Sequence, residues 1–446
     1  MVMSSTEIGA TEPSGWRFAL RALRHRNYML FFSGQTVSLI GTWMTRLATS
    51  WLVYRLTHSA LLLGVVGFAS QIPLFVLGPF AGVWVDRLDR HRVLVVTQVL
   101  SMVQSFMLAG LALSNRITVA DILWLSLFQG LINAFDMPAR QAFVIEMVND
   151  RSDLPSAIAL NSSMVNAARL IGPSVAGAVI AWVGEGYCFL IDGISYIAVI
   201  ASLLAMRIEP RAIEVHARHV LEDLAEGWQY VTGSVSIRSI LLLLALISLV
   251  GMPYMVLMPI FAAQILHGGA HTLGFLTGAV GTGALISAGY LASRKSVLGL
   301  GRVIAATCAL FGGALIAFAY SRWLWLSLPL LVCTGYGMTQ QMAASNTVLQ
   351  TIVDEDKRGR VMSFYSMALA GMAPFGSLFA GIVASRVGAP LTLAVSGLLC
   401  VGGAWWFMSK LPAIREHIRP IYRRLGILPE VAEGMQAATT SGSVSG

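Results

Sequence analysis

Few side chains in this sequence could carry chemistry, and those that stand out lie where water is scarce. Asp192 is the carboxylate placed clearly inside an apolar run, and Arg46 and Arg169 are cations inside two others. A charge within a span is costly, so it usually faces a cavity or a partner. Three roles stay open for Asp192: a proton site, a structural partner of Arg46, or a helix cap at the outer surface. Arg46 either faces a cavity or extends to the outer headgroups. Gln35, Gln129, Asn133, Gln340 and Gln341 are the candidates for lining a substrate cavity. Methionines such as Met252, Met255, Met338 and Met342 suit varied apolar ligands, although packing is their commoner use. His267 and His271 have the i, i+4 spacing of a metal pair, but their glycine-rich loop offers no acidic partner, and no metal site is expected. No phosphate-binding Gly-Lys loop is present, so no ATP or other cofactor is expected. An intramembrane enzyme would need His, Asp or Glu clustered within the spans.

The elements that must hold these groups are membrane helices. Of 446 residues, 56% are hydrophobic and only 12% charged. A span takes ~20 apolar residues, and twelve runs fit: 27–53, 61–85, 93–113, 119–135, 158–183, 188–206, 239–266, 273–292, 303–320, 323–344, 361–383 and 390–408. They are too long for barrel strands and lack the alternation of such strands. Cys188, Cys308, Cys333 and Cys400 lie in or beside these runs and read as packing residues. The net charge of +8 invites a nucleic-acid reading, but its distribution opposes one. Outside the spans, every basic residue except Arg55, Arg116, Arg322 and Arg386 falls on the side of the two termini, which predicts both termini in the cytoplasm. The first 26 residues show no cleavable signal. Residues 15–26 read as an amphipathic helix on the inner leaflet or as an extension of the first span. Residues 1–14 and 437–446 read as disordered.

Between the second and third runs stands Gly82-Val-Trp-Val-Asp86-Arg87-Leu-Asp89-Arg90-His-Arg92. Gly82 lies one turn before Asp86, so a partner helix could approach there. The spacing resembles the signature of the major facilitator superfamily between helices 2 and 3, with Asp89 where that family usually has glycine. Ser126, four residues before Gly130, stands where the superfamily often has an arginine tied to proton coupling. Pro138 is expected to end the fourth span or start a new helix. In the fifth run, Arg169-Leu-Ile-Gly172-Pro173-Ser-Val-Ala-Gly177 is similar to the antiporter motif of exporters, with Ala168 and Ala176 replacing two glycines. Together with Asp136-Met-Pro-Ala-Arg-Gln-Ala, it resembles the drug:proton antiporter branch that contains macrolide exporters and the enterobactin exporter.

The resemblance implies an all-α membrane protein with twelve transmembrane helices in two pseudo-symmetric six-helix bundles. The expected divisions are a cytoplasmic tail (1–26), a first bundle (27–206), a cytoplasmic linker (207–238), a second bundle (239–409) and a cytoplasmic tail (410–446). Ser293 occupies the second-half place of Asp86, and Pro374 that of Pro173. The implied function is secondary-active, proton-coupled export of a drug-like compound or siderophore from the inner (plasma) membrane, by alternating access. An importer or facilitator of the same fold is the alternative, and an intramembrane enzyme a remote one. The expected partners are a small-molecule substrate, protons and the lipid bilayer, with a monomer as the working unit and no nucleic acid. The resemblance also predicts a gate in which Asp86 accepts hydrogen bonds from the start of the eleventh helix while Arg90 or Arg92 holds its carboxylate. Asp192 and Arg46 are the proton-coupling candidates.

Overall fold

In hydrocarbon a chain must satisfy its own N–H and C=O groups, and a helix does so within one segment. The computed structural model describes residues 20–148, 150–207, 220–294 and 296–425, apart from the side chains at 79, 83, 86, 151, 220–224 and 292. Among these residues all regular structure is helical. The spans are α1 (Arg26–Thr57), α2 (Ala60–Asp86), α3 (Arg90–Leu113), α4 (Val119–Glu146), α5 (Leu154–Val183) and α6 (Glu185–Leu204). Then come α7 (Val235–Ile265), α8 (Ala270–Ser293), α9 (Leu300–Tyr320), α10 (Leu324–Ile352), α11 (Arg358–Val387) and α12 (Ala389–Arg424). Among the described residues, nine of them are long and apolar enough to cross a membrane by length and composition. The other three, α1, α4 and α10, carry Arg46, the Gln129–Asp136 cluster and the Gln340–Gln341 pair, which lower their hydropathy.

Polar side chains set several starts. Ser59 caps α2, Asp89 caps α3 by accepting from the N–H groups of His91 (3.0 Å) and Arg92 (3.3 Å), and Thr118 with Asp121 forms a capping box on α4. Asp89 therefore gives the tight turn a cap that glycine could not. Gly184 and Gly388 turn the chain at equivalent places, before α6 and α12, with φ of 90° and 87°.

Several expected boundaries move. Helix α4 runs through Pro138 to Glu146, so the proline neither ends the span nor starts a helix. Helix α12 continues through Pro412 and Pro420 to Arg424, well past residue 408. Within residues 15–26, the described part is a 3-10 turn, Arg21–Arg24, followed by extended His25; it does not continue α1 as α-helix. Residues 1–19 and 426–446 lie outside the described residues. A linking helix, Val220–Gly233, docks on the start of α11, where Glu226 meets Arg360 and Tyr230 donates to Asp354 (3.2 Å).

The packing repeats. In the first half α1 lies against α5 and α6, α2 against α4, and α3 against α4 and α6. In the second, α7 lies against α12, α8 against α10, and α9 against α10 and α12. The halves meet through α2 with α11 and α5 with α8. Both seams close at the end of the bundle away from the termini, through glycine. A Cβ added at Gly64 would lie 2.7 Å from the carbonyl of Ser377 and 2.9 Å from Cα of Gly381. One added at Gly177 would lie 2.9 Å from the carbonyl of Ala270 and 3.0 Å from Cα of Gly274. Toward the termini, Cβ atoms at Gly82, Gly289 and Gly359 would meet nothing within 4 Å. The close helix approach expected at Gly82 is thus absent in this conformation, because the cleft between the halves widens toward that end.

Replacing Gly64 by leucine should force this seam apart, at a cost of roughly 1–3 kcal/mol for overpacking. The melting temperature of purified G64L is expected to fall by several degrees, while G110L, whose added side chain meets open space, should melt like the parent.

Candidate functional site

Three helices of the first half bring Asp192 into a polar pocket. It lies two turns inside α6 and is 1% exposed. Its Oδ2 accepts from the hydroxyls of Thr45 on α1 (2.8 Å) and Ser105 on α3 (3.0 Å). Its Oδ1 has no hydrogen-bond partner among the described residues and packs on Gly41, where a Cβ would come within 2.7 Å. A helix-cap role is excluded by position. The first turn of α6 belongs to Glu185, which pairs with Arg55 (2.8 Å). Direct pairing with Arg46 is absent as well: no ion pair within 4 Å joins them.

Arg46 instead lies over the ring of Trp43, 4.9 Å from its centroid. Arg169 of α5 approaches the same ring at 5.2 Å. One indole thus serves two guanidinium groups from two helices, a cation–π arrangement that holds charge without neutralising it. Gly172 makes this possible, since a Cβ there would stand 2.5 Å from Cβ of Trp43. Arg46 keeps accessible surface, yet its electrostatic neighbours are Arg169, Tyr196, Arg140 and Asp192. That surface therefore faces the inside of the bundle and not the outer headgroups. The Nε of Arg169 and the hydroxyl of Tyr254 on α7 are both buried without partners among the described residues, and the two groups interact electrostatically across the halves.

Asp136 is a second buried carboxylate, 4% exposed. It forms an ion pair with Arg140 one turn on, and its Oδ1 accepts from Thr97 (2.9 Å) and Gln98 (2.8 Å) of α3. The i, i+4 spacing of Asp136 and Arg140 was the available signal. The Trp43–Arg46 spacing of three residues was the signal for the shared indole.

Of the cavity candidates, Gln129 and Asn133 are partly exposed and bonded to each other (3.2 Å), with Gln129 also donating to Ser101 (3.2 Å). Gln35, Gln340 and Gln341 are enclosed, at 2%, 0% and 0% exposure, and do not line a cavity here. Gln340 accepts from Ser287 of α8 (2.9 Å) and Gln341 donates to Ser345 (3.3 Å), so both are absorbed by packing within the second half. In the expected gate, Asp86 ends α2 and its side chain lies outside the described residues. Arg87 is exposed. Arg90 reaches Glu146 at the end of α4 (2.6 Å), and Arg92 pairs with Asp89 (3.3 Å). Pro173 lies inside the unbroken helix α5, and Gly177 forms the seam with Gly274. No cluster of three or more metal-ligating side chains occurs among the described residues.

A paired set of six-helix halves around a polar cleft matches transporter architecture. A family described as transmembrane secretion effector matches residues 18–444. The chain belongs to that family. It is a secondary transporter of the major facilitator superfamily, not an enzyme. The staphyloferrin A transporter of Staphylococcus aureus is 25% identical over 85% of this chain and 96% of its own length. The multidrug efflux pump Tap of Mycolicibacterium fortuitum is 27% identical over 86% and 95%. Macrolide efflux protein A of Streptococcus pyogenes is 20% identical over 85% and 95%. Among solved structures, an inward-facing, occupied bacterial homologue of the lysosomal transporter Spinster covers 89% of this chain and 98% of that one, with a TM-score of 0.70 at 13% identity. This last likeness concerns the fold. In this superfamily, rocking of two halves about a central site is the expected motion, and the polar cleft of α1, α4, α5 and α6 is the candidate site.

Removing one partner of a buried ion pair leaves the other uncompensated, at a cost of roughly 3–5 kcal/mol. D136L should therefore lose much of its thermal stability, and D136L/R140L should recover most of the loss. Melting curves of the two variants in detergent test this.

Proposed function

We propose that this transporter is a proton-coupled exporter that carries an amphipathic drug-like compound or a siderophore out across the inner (plasma) membrane. The observation that carries the reading is Asp192, a carboxyl group buried among hydroxyls with no ion-pair partner within 4 Å among the described residues. Hydroxyls can donate to a carboxylate or accept from a carboxylic acid. Thr45 and Ser105 therefore accommodate both protonation states without rebuilding the pocket. Deprotonation leaves a negative charge that attracts Arg46, and protonation releases that attraction. Because Arg46 shares Trp43 with Arg169, a proton at Oδ1 of Asp192 can alter how both cations present themselves to the cleft.

The basic bias of the sequence supports both termini in the cytoplasm. The end toward which the cleft widens then faces the cytosol, the state that captures cargo for export. The efflux proteins and the siderophore transporter among the relatives supply the two cargo classes. Accessible Gln129 and Asn133, together with the two arginines and Trp43, offer an amphipathic ligand hydrogen bonds, charge and an aromatic face.

D192N keeps the shape and hydrogen-bonding capacity of the side chain but cannot exchange a proton. In proteoliposomes it should lose transport driven by an imposed pH gradient while substrate still binds. Wild-type concentrative transport by D192N would refute the proton role, and uphill uptake toward the cytoplasmic side by the parent protein would refute export.

A further inference from the structure

Between α9, α12 and the termini-side ends of α7 and α10 lies a pocket of about 500 Å³ that is separate from the transport cleft. Its floor is apolar and includes Ile240, Ile304, Val348 and Phe407, all core residues. Its rim is basic. Arg302 comes from the first turn of α9, and Arg415 and Arg419 from the last turns of α12. All three are exposed and none has a carboxylate partner within 4 Å among the described residues. Arg415 and Arg419 are four residues apart on one helix face, where like charges repel. Glu416 is the one carboxylate between residues 408 and 425, and it lies roughly 100° round the helix from Arg415. The start of α9 adds positive potential, since its first turn has neither a side-chain cap nor an acidic residue.

The level of the pocket matters as much as its charge. Below the rim, Leu310 of α9 and Trp405 and Met408 of α12 are exposed apolar side chains, as expected where helices meet acyl chains. The arginines begin where that belt ends, at the depth of headgroups. An anion that uses both rim and floor must be amphiphilic, and its supply lies in the adjoining leaflet.

We infer that this pocket binds the headgroup of an anionic phospholipid. The phosphodiester would lie among Arg302, Arg415 and Arg419, and the upper part of an acyl chain would rest on the floor formed by Ile304 and Phe407. Guanidinium groups match phosphate oxygens in a planar, two-bond geometry, and basic pockets between membrane helices suit such headgroups. The lipid would supply the counter-charge that α9 and α12 lack and would tie the two helices together. Two other occupants are separable by experiment. Free phosphate would ignore the floor. Residues 426–446, which follow α12 and include Glu430 and Glu433, would compete from within the chain.

The test is native mass spectrometry of the full chain in detergent, titrated with phosphatidylglycerol, phosphatidylcholine or inorganic phosphate. Phosphatidylglycerol should be retained as a one-to-one adduct in preference to the other two. The variant R302Q/R415Q/R419Q should weaken that retention by roughly a hundredfold, the scale of three basic side chains at an anionic surface. R302K/R415K/R419K should keep most of it. Should the triple glutamine variant fail to fold, each single glutamine variant is expected to weaken retention several-fold. Undiminished retention by the glutamine variants, equal retention of phosphatidylcholine, or displacement of the lipid by inorganic phosphate would each overturn the proposal. So would binding of phosphatidylglycerol that appears only after residues 426–446 are removed.

Discussion

The structure depends on two places where backbone meets backbone. At Gly64–Gly381 and Gly177–Gly274 the halves approach so closely that a single added carbon would sit within 3.0 Å of the opposite helix. In hydrocarbon, helices gain little from the hydrophobic effect when they associate, so close packing of small residues must hold them. Both contacts lie at the same end, and this sets the shape of everything between them. The halves splay toward the termini, the cleft opens there, and the linking helix Val220–Gly233 is free to dock on the start of α11. Two crossings of glycine on glycine also resist sliding less than interlocked large side chains would. They suit a seam about which two rigid bodies tilt.

Charge is distributed unequally between two halves of the same plan. The first half carries Asp136, Arg140, Asp192, Arg46 and Arg169 inside its helices, held by Thr45, Thr97, Gln98, Ser105 and Trp43. The matching region of the second half is built on enclosed glutamines and methionines. Its Tyr254 reaches toward the first through its electrostatic contact with Arg169. Electrostatic work is thus confined to one bundle, and the other provides a surface whose energy changes little as protons come and go. A two-body machine gains from this arrangement, because only one body must accommodate a change of charge.

The twelve helices were legible because run length and composition are directly visible in the chain. The proline at 138 misled, since its missing N–H is tolerated inside α4 when neighbouring helices support the backbone. The enclosed state of Gln340 and Gln341 was not legible, because residue type does not say which way a helix faces within a bundle. Trp43 was missed for a related reason: its role arises from Arg169, which is distant in sequence and arrives only because Gly172 lets α5 close on α1. Gly82 has the right residue for close packing but no neighbour in this conformation. A sequence can prescribe a contact without prescribing when it is made.

Three wide turns interrupt the second half. Ile247–Gly251 and Phe261–Ile265 in α7 and Met367–Gly371 in α11 are π-helical, and the Ser248 hydroxyl donates to the Leu369 carbonyl, joining a wide turn of α7 to that of α11. Each such turn stores one residue more than an α-helix needs over the same length. If a wide turn migrates or tightens, the segment beyond it turns by about 100° and advances by about 1.5 Å. Helices α7 and α11 can therefore screw about their own axes while their ends stay anchored. The second half then has a torsional freedom that the described α1 and α5, which hold no π turn, do not share.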